Sequence, residues 1–358
     1  MKATLTPKER VRRAFSYQEP DHVPLNYFAN PETDARLKTH FGLKRSDDEG
    51  LLQALQIDFR TVNPPYIGPV LHSPEPGREI SIWGIHTRWV EHGEGGYWDY
   101  CDFPLKDADL DAVLNFPMPN PDDFDYEAAV AQARTYQNYW VSTGSAGLGD
   151  IINHTSMLRN MEQVLIDLLT DNEALLAYIN RRMKIELEIL KRTLEAAHGL
   201  IDMVWLGEDL GTQKGPMISK RLYRKHLKPV HQQYIDVAKQ FNLPVIFHNC
   251  GSSSWVYEDF IEMGVNIVDT LQPEAKNMSP EYLVEHFCGR LAFHGAISTT
   301  GALSFGNPQD VVEDVRHTLD VLKPGGGYAL APSHQIQDNT PTKNVLAMYE
   351  AALELGQY

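Results

Sequence analysis

The sequence predicts an α/β protein: a (β/α)8 barrel of the TIM type, with an N-terminal helical extension and a β-hairpin inserted after the second strand. Three observations carry this. Eight short apolar runs recur along 358 residues, and the segments between several of them have helical periodicity. Strands alternating with helices imply a parallel sheet, and eight such units imply a closed barrel. The G-x-G-x-x-G turn of an open doubly wound sheet is missing, because the nearest stretch, GSAGLG (144–149), has its glycines in the wrong order.

In chain order, Thr6 as N-cap, Pro7 and Glu9 predict the opening helix. The strand runs are VPLNYF (23–28), DFRTV (58–62), YWVSTG (139–144), IDMVWLG (201–207), PVIFHN (244–249), VNIVDT (265–270), LAFHGAI (291–297) and GYALAP (327–332). Helical periodicity covers 160–197, 220–242 and 307–322. Residues 70–105 break the alternation. There β-branched and aromatic residues alternate around GEGG, which reads as an antiparallel hairpin, either a lid or an oligomer contact. PGGGY (324–328) precedes a strand and not a helix, so it reads as a tight turn and not a phosphate cradle. Nothing marks an internal boundary, so residues 1–358 read as one domain.

Hydrophobic content of 42% with 22% charged residues is that of an ordinary globular chain. No apolar run is long enough to span a bilayer. The opening segment lacks the apolar stretch of a secretion signal, and three unevenly spaced cysteines make no disulfide framework, so the protein is expected to be cytoplasmic. A formal charge of -16 argues against a nucleic-acid partner. The oligomeric state is open, a homodimer included.

Functional groups of such barrels sit where strands end. The residues there are Asn26, Asn63, Ser142 and Thr143, Glu208 and Asp209, His248 and Cys250, Asp269 and Gln272, His294 and Ser298, and Ser333 and His334. Imidazole, thiol and carboxylate together are zinc-ligand chemistry. His248 and Cys250 lie two apart, on one face of an extended backbone. His334 and Glu208 approach the same axial cavity from other sides. Three ligands and one open position is the catalytic pattern for zinc. Such a spacing is more often that of a buried thiol beside a hydrogen-bonded histidine than of a metal pair, and Glu208 and Asp209 suit a loop cap as well as a ligand. His294 reads as a packed histidine.

The order of LGEDLGTQKGPMIS (206–219), FHNCG (247–251), FHGAIST (293–299) and GGGYALAPSHQIQDNTPTKNVLAMYEAA (325–352) resembles the uroporphyrinogen decarboxylase superfamily, from about residue 140 to the end. The resemblance implies a barrel with its site at the C-terminal mouth. It also implies one of two chemistries: cofactor-free decarboxylation of uroporphyrinogen, or zinc-dependent methyl transfer with a corrinoid protein. The arginine-rich segment of the decarboxylases corresponds here to NYFANPETDARLKTHFG (26–42), with Arg36 alone, which favours the second. The thiol-activating methyltransferases carry His-x-Cys and a further cysteine. His248 and Cys250 fit the pair, while His334, a histidine in the decarboxylases too, stands in the last position.

The resemblance thus implies zinc on His248, Cys250 and His334, with Glu208 and His334 as catalytic groups. Tyr27, Asp209 and Gln213 are expected to contact substrate or support the site. The zinc would polarise a small O-methyl or similar methyl donor, and the methyl acceptor would be a corrinoid (cobalamin) carried by a partner protein. A decarboxylase of a smaller acid and a non-catalytic ligand-binding barrel are the alternatives.

Overall fold

A computed structural model describes residues 5–92 and 95–358. Met1–Thr4, and Gly93 and Glu94 of the expected hairpin turn, lie outside the described residues. Among the described residues, ten strands form two sheets. β1 (Phe59–Thr61), β5 (Trp140–Gly144), β6 (Met203–Gly207), β7 (Val245–His248), β8 (Ile267–Thr270), β9 (Ala292–Ile297) and β10 (Tyr328–Pro332) pair in parallel, in that order. β2 (Glu79–Ile80), β3 (His86–His92) and β4 (Gly95–Cys101) form a separate antiparallel sheet between β1 and β5. The inserted hairpin therefore exists, with a short third strand added.

The parallel sheet has seven strands and not the expected eight. Residues 23–28 form no regular strand, and the reason is local. Pro24 has no N–H to donate, the Leu25 N–H goes to the Asp58 carboxylate (2.8 Å), and the Tyr27 N–H goes to the Asn26 side chain (2.9 Å). The segment keeps one parallel bridge, Leu25 to Leu330, in which Asn26 N donates to Leu330 O (2.9 Å) and Leu330 N to Pro24 O (2.8 Å), and on the other side Asp58 N donates to Leu25 O (3.0 Å). The Asp58 and Asn26 side chains take the Leu25 and Tyr27 N–H groups that a longer ladder would use.

The opening helix Pro7–Phe15 starts where expected, with Thr6 accepting from Glu9 N. The long periodic stretch is two helices, Met161–Thr170 and Glu173–Ala196. Asp171 is left-handed between them and Asn172 caps the second. Pro308–Leu322 follows Asn307, which forms a reciprocal capping box with Asp310. Gly325, Gly326 and Gly327 all have positive φ, as the tight turn requires. Among the described residues, no helix is long and apolar enough to cross a membrane. Apolar residues of the strands and surrounding helices form one large buried cluster. A smaller one, containing Phe59, Trp140, Met203, Ile246 and Ala329, fills the N-terminal half of the sheet's inner face.

Candidate metal centre

The site is built at the ends of β6 and β7. β7 stops at His248, so Cys250 lies beyond the strand and strand alternation does not bring the pair together. The turn does. Gly251 has φ +72°, and a Cβ there would lie 2.5 Å from the Gly211 carbonyl oxygen, so only glycine lets the loops after β6 and β7 touch. That contact sets the Cys250 thiol 3.4 Å from His248 Nε2. The loop after β6 brings Asp209, whose Oδ1 accepts from Cys250 N (3.0 Å) and lies 3.7 Å from His248 Nε2. Its Oδ2 accepts from Asn153 Nδ2 (2.9 Å). One donor atom each from Asp209, His248 and Cys250 lies within 4.8 Å of the others.

The far side of His248 is equally defined. Nδ1 donates to Asp269 Oδ2 (2.8 Å), and Thr270 Oγ1 lies 2.6 Å from the same nitrogen. Thr270 is held at φ +82°, an uncommon conformation for a β-branched residue, at the end of β8. With Nδ1 committed to Asp269, His248 points Nε2 toward the thiol and Asp209, the usual arrangement behind an imidazole that binds a metal once Nε2 gives up its proton. Burial opposes charge on His248, but Asp269 and Cys250 together hold its pKa well above the ordinary imidazole value. Burial pushes the Cys250 thiol up, although His248 acts in the opposite direction.

The other expected site residues lie elsewhere. Glu208 is fully buried and turned from the cluster, its oxygens accepting from Ile151 N (2.7 Å) and Ile152 N (3.0 Å). It caps the helix Ile152–Arg159, whose own N-cap position offers no side chain. Burial pushes its carboxyl up to about 8 despite those two donors. Neighbouring Asp150 is raised well above its ordinary value by burial and by Glu208.

His334, expected as the third ligand, is not gathered with His248 and Cys250; Asp209 is. His334 is exposed and lies on the wall of a cavity of about 460 Å³ that His248, Asp269 and Thr270 also line. Tyr27 lines the same cavity and donates its hydroxyl to Asp34 Oδ1 (2.5 Å). Burial and Asp34 raise the pKa of that phenol. Gln213 is exposed and pairs with Gln272 (3.1 Å) beside the mouth. Asp209 was legible only as a supporting residue, because two adjacent carboxylates in a loop give no signal of which turns inward.

Comparison with solved structures gives the following similarities. The solved structure of a methyltransferase from Methanosarcina mazei superposes with a TM-score of 0.66, covering 98% of this chain and 99% of that one at 17% identity. D-allulose 3-epimerase from Methylomonas sp. gives 0.39, with 65% of this chain and 82% of that one covered at 15% identity. D-psicose 3-epimerase from Clostridium cellulolyticum H10 gives 0.36, with 66% and 83% covered at 11% identity. No curated protein sequence matches the chain. Residues 149–355, more than half of the chain, match the uroporphyrinogen decarboxylase (URO-D) family model. The chain belongs to the uroporphyrinogen decarboxylase family.

Proposed function

We propose that the chain is a methyltransferase that holds zinc on Asp209, His248 and Cys250. The methyl group would come from a small O-methyl or similar donor bound in the adjacent cavity and pass to a corrinoid (cobalamin) carried by a partner protein. The observation that carries this reading is the convergence of thiol, imidazole and carboxylate, with the imidazole proton fixed on the far nitrogen. That donor set fits zinc: one sulfur, one nitrogen and one oxygen, leaving a position for substrate. Zinc bound there would supply a Lewis acid to the donor's leaving oxygen.

The chain's own residues do the rest. Asp209 and the Asp269-held His248 fix the ligand geometry before any cation arrives. The cavity wall of Phe28, Trp205 and Leu52 provides an apolar bed, and Tyr27 with Asp34 offers polar atoms to orient a substrate. Similarity of fold to the Methanosarcina mazei methyltransferase over nearly the whole of both chains supports the assignment.

The purified chain is expected to carry about one zinc, and Cys250→Ala to lose it while keeping its circular dichroism spectrum. A fully folded, metal-free wild-type protein after growth in zinc would refute the reading. A decarboxylase is the second reading, favoured by the family and by His334 on the cavity wall. Against it, the cavity lining contains Asp34, Asp48 and Asp269 and, among the described residues, neither arginine nor lysine. Arg36 spends its guanidinium on Thr33 and the carbonyls of Asp338 and Thr340. A polycarboxylate would find little to pair with. Carbon dioxide release from candidate acids in the presence of a chelator would revive that reading.

A further inference from the structure

Behind His248 stands a chain of buried polar groups of which the proposed chemistry uses only the first, Asp269. Asp269 divides its carboxylate between two imidazoles: Oδ2 accepts from His248 Nδ1 (2.8 Å) and Oδ1 from His294 Nδ1 (2.5 Å). His294 is fully buried on β9, and its Nε2 accepts from Asn26 Nδ2 (3.0 Å). The direction of that last bond is not arbitrary. Tyr27 N donates to Asn26 Oδ1, so the amide must present its N–H2 to the ring, which forces the His294 proton onto Nδ1, facing Asp269.

The ring plane of His294 is fixed as well. Phe28, Phe59 and Trp205 meet it edge to face, at 5.9, 5.4 and 6.4 Å between centroids. Asn26 is tied down by Tyr349, whose hydroxyl donates to its carbonyl (2.8 Å). We infer that Asn26 and His294 are positioning residues that act through Asp269 to orient His248 as a metal ligand.

The physical reason is one of satisfied valence. Asp269 is 2% exposed, so an oxygen deprived of its donor has no water to turn to. Without the His294 N–H the carboxylate would rotate toward Thr270 and His248, its other neighbours, and carry the ligand ring with it.

The inference rests on the zinc reading above, and the test separates the two. Zinc affinity of the full chain is measured by competition with a chromophoric chelator, and the visible spectrum of the cobalt(II)-substituted protein reports ligand geometry. His294→Phe keeps the aromatic packing and removes the donor. It is expected to weaken zinc binding about tenfold, the low end of what partners of metal-binding groups contribute, and to shift the cobalt spectrum. His294→Asn, which can place an N–H where Nδ1 was, should restore affinity to within about threefold. Asn26→Ala should weaken binding in the same direction, and it serves if His294→Phe does not fold.

In an Asp269→Asn background the His294→Phe effect should vanish, because the path is already cut. Unchanged zinc affinity and cobalt spectrum in folded His294→Phe and Asn26→Ala would overturn the inference, with zinc binding by the wild type intact. So would full additivity with Asp269→Asn. A wild-type chain that takes up no zinc would overturn the metal reading and this inference together.

Discussion

Asp209 and Glu208 are neighbours in sequence with opposite fates. Glu208 spends both oxygens on the backbone of one helix, whereas Asp209 holds Cys250 N with one oxygen and leans toward His248 Nε2 with the same atom. Asp209→Ala should therefore lower zinc affinity by at least about tenfold without unfolding the chain, measurable by the same chelator competition. Glu208→Gln should act on thermal stability, since an amide cannot accept both N–H groups through two oxygens. The pairing of His248 with Cys250 was legible because an imidazole and a thiol two positions apart at the end of an apolar run are rare company. The roles of Asp269 and His294 were not. Whether a buried histidine packs or supports a ligand depends on which atoms of other strands reach its two nitrogens, and no spacing within one strand encodes that.

At the scale of elements, the helix Ile152–Arg159 is seated on a carboxyl pair whose titration has a definite sign. The Glu208 carboxyl rises from about 4.5 to about 8, and Asp150 is raised beside it, so the fold retains a proton that the unfolded chain releases. This contribution to stability is complete below about pH 4.5 and is lost as pH climbs toward about 8. His231, 3.4 Å from Glu208, runs the other way: burial lowers it from 6.5 to about 4, so its effect raises stability with pH across that interval. Of the two, only the carboxyl effect operates between about pH 6.5 and 8. The metal-free melting temperature should fall across that window. Asp150→Asn, whose amide can donate to Glu208 with no proton to lose, should flatten the fall, as differential scanning fluorimetry would record. The start of the opening helix was foreshadowed by Thr6. The break at Asp171 was not, because the periodicity continues through it and only the left-handed backbone interrupts it.

For the molecule as a whole, alternation of apolar runs with helical periodicity was enough to predict a parallel α/β fold, and seven of the eight runs are strands. The first run misled because its composition is that of a strand, while the Leu25 and Tyr27 N–H groups go to the Asp58 and Asn26 side chains and leave a single bridge. Asp58 is the keystone of that gap: it is fully buried, accepts from Leu25 N, and pairs with Arg10 of the opening helix at 2.5 Å. Asp58→Ala leaves the Arg10 charge with Asp21 alone at that spot, and should cost about 3–5 kcal/mol in chemical denaturation. The inserted sheet contributes a cross-strand tryptophan pair, Trp89 and Trp98, 5.6 Å apart and both more than 40% exposed.

Of the chain's six tryptophans, that exposed pair and Trp205 on the cavity wall sit in contrasting surroundings. Emission from the solvated pair lies to the red, while the indole enclosed beside Phe28 emits further to the blue. A ligand entering the cavity should quench the blue edge alone, and Trp205→Phe should abolish that response, so occupancy can be titrated in plain buffer without a label.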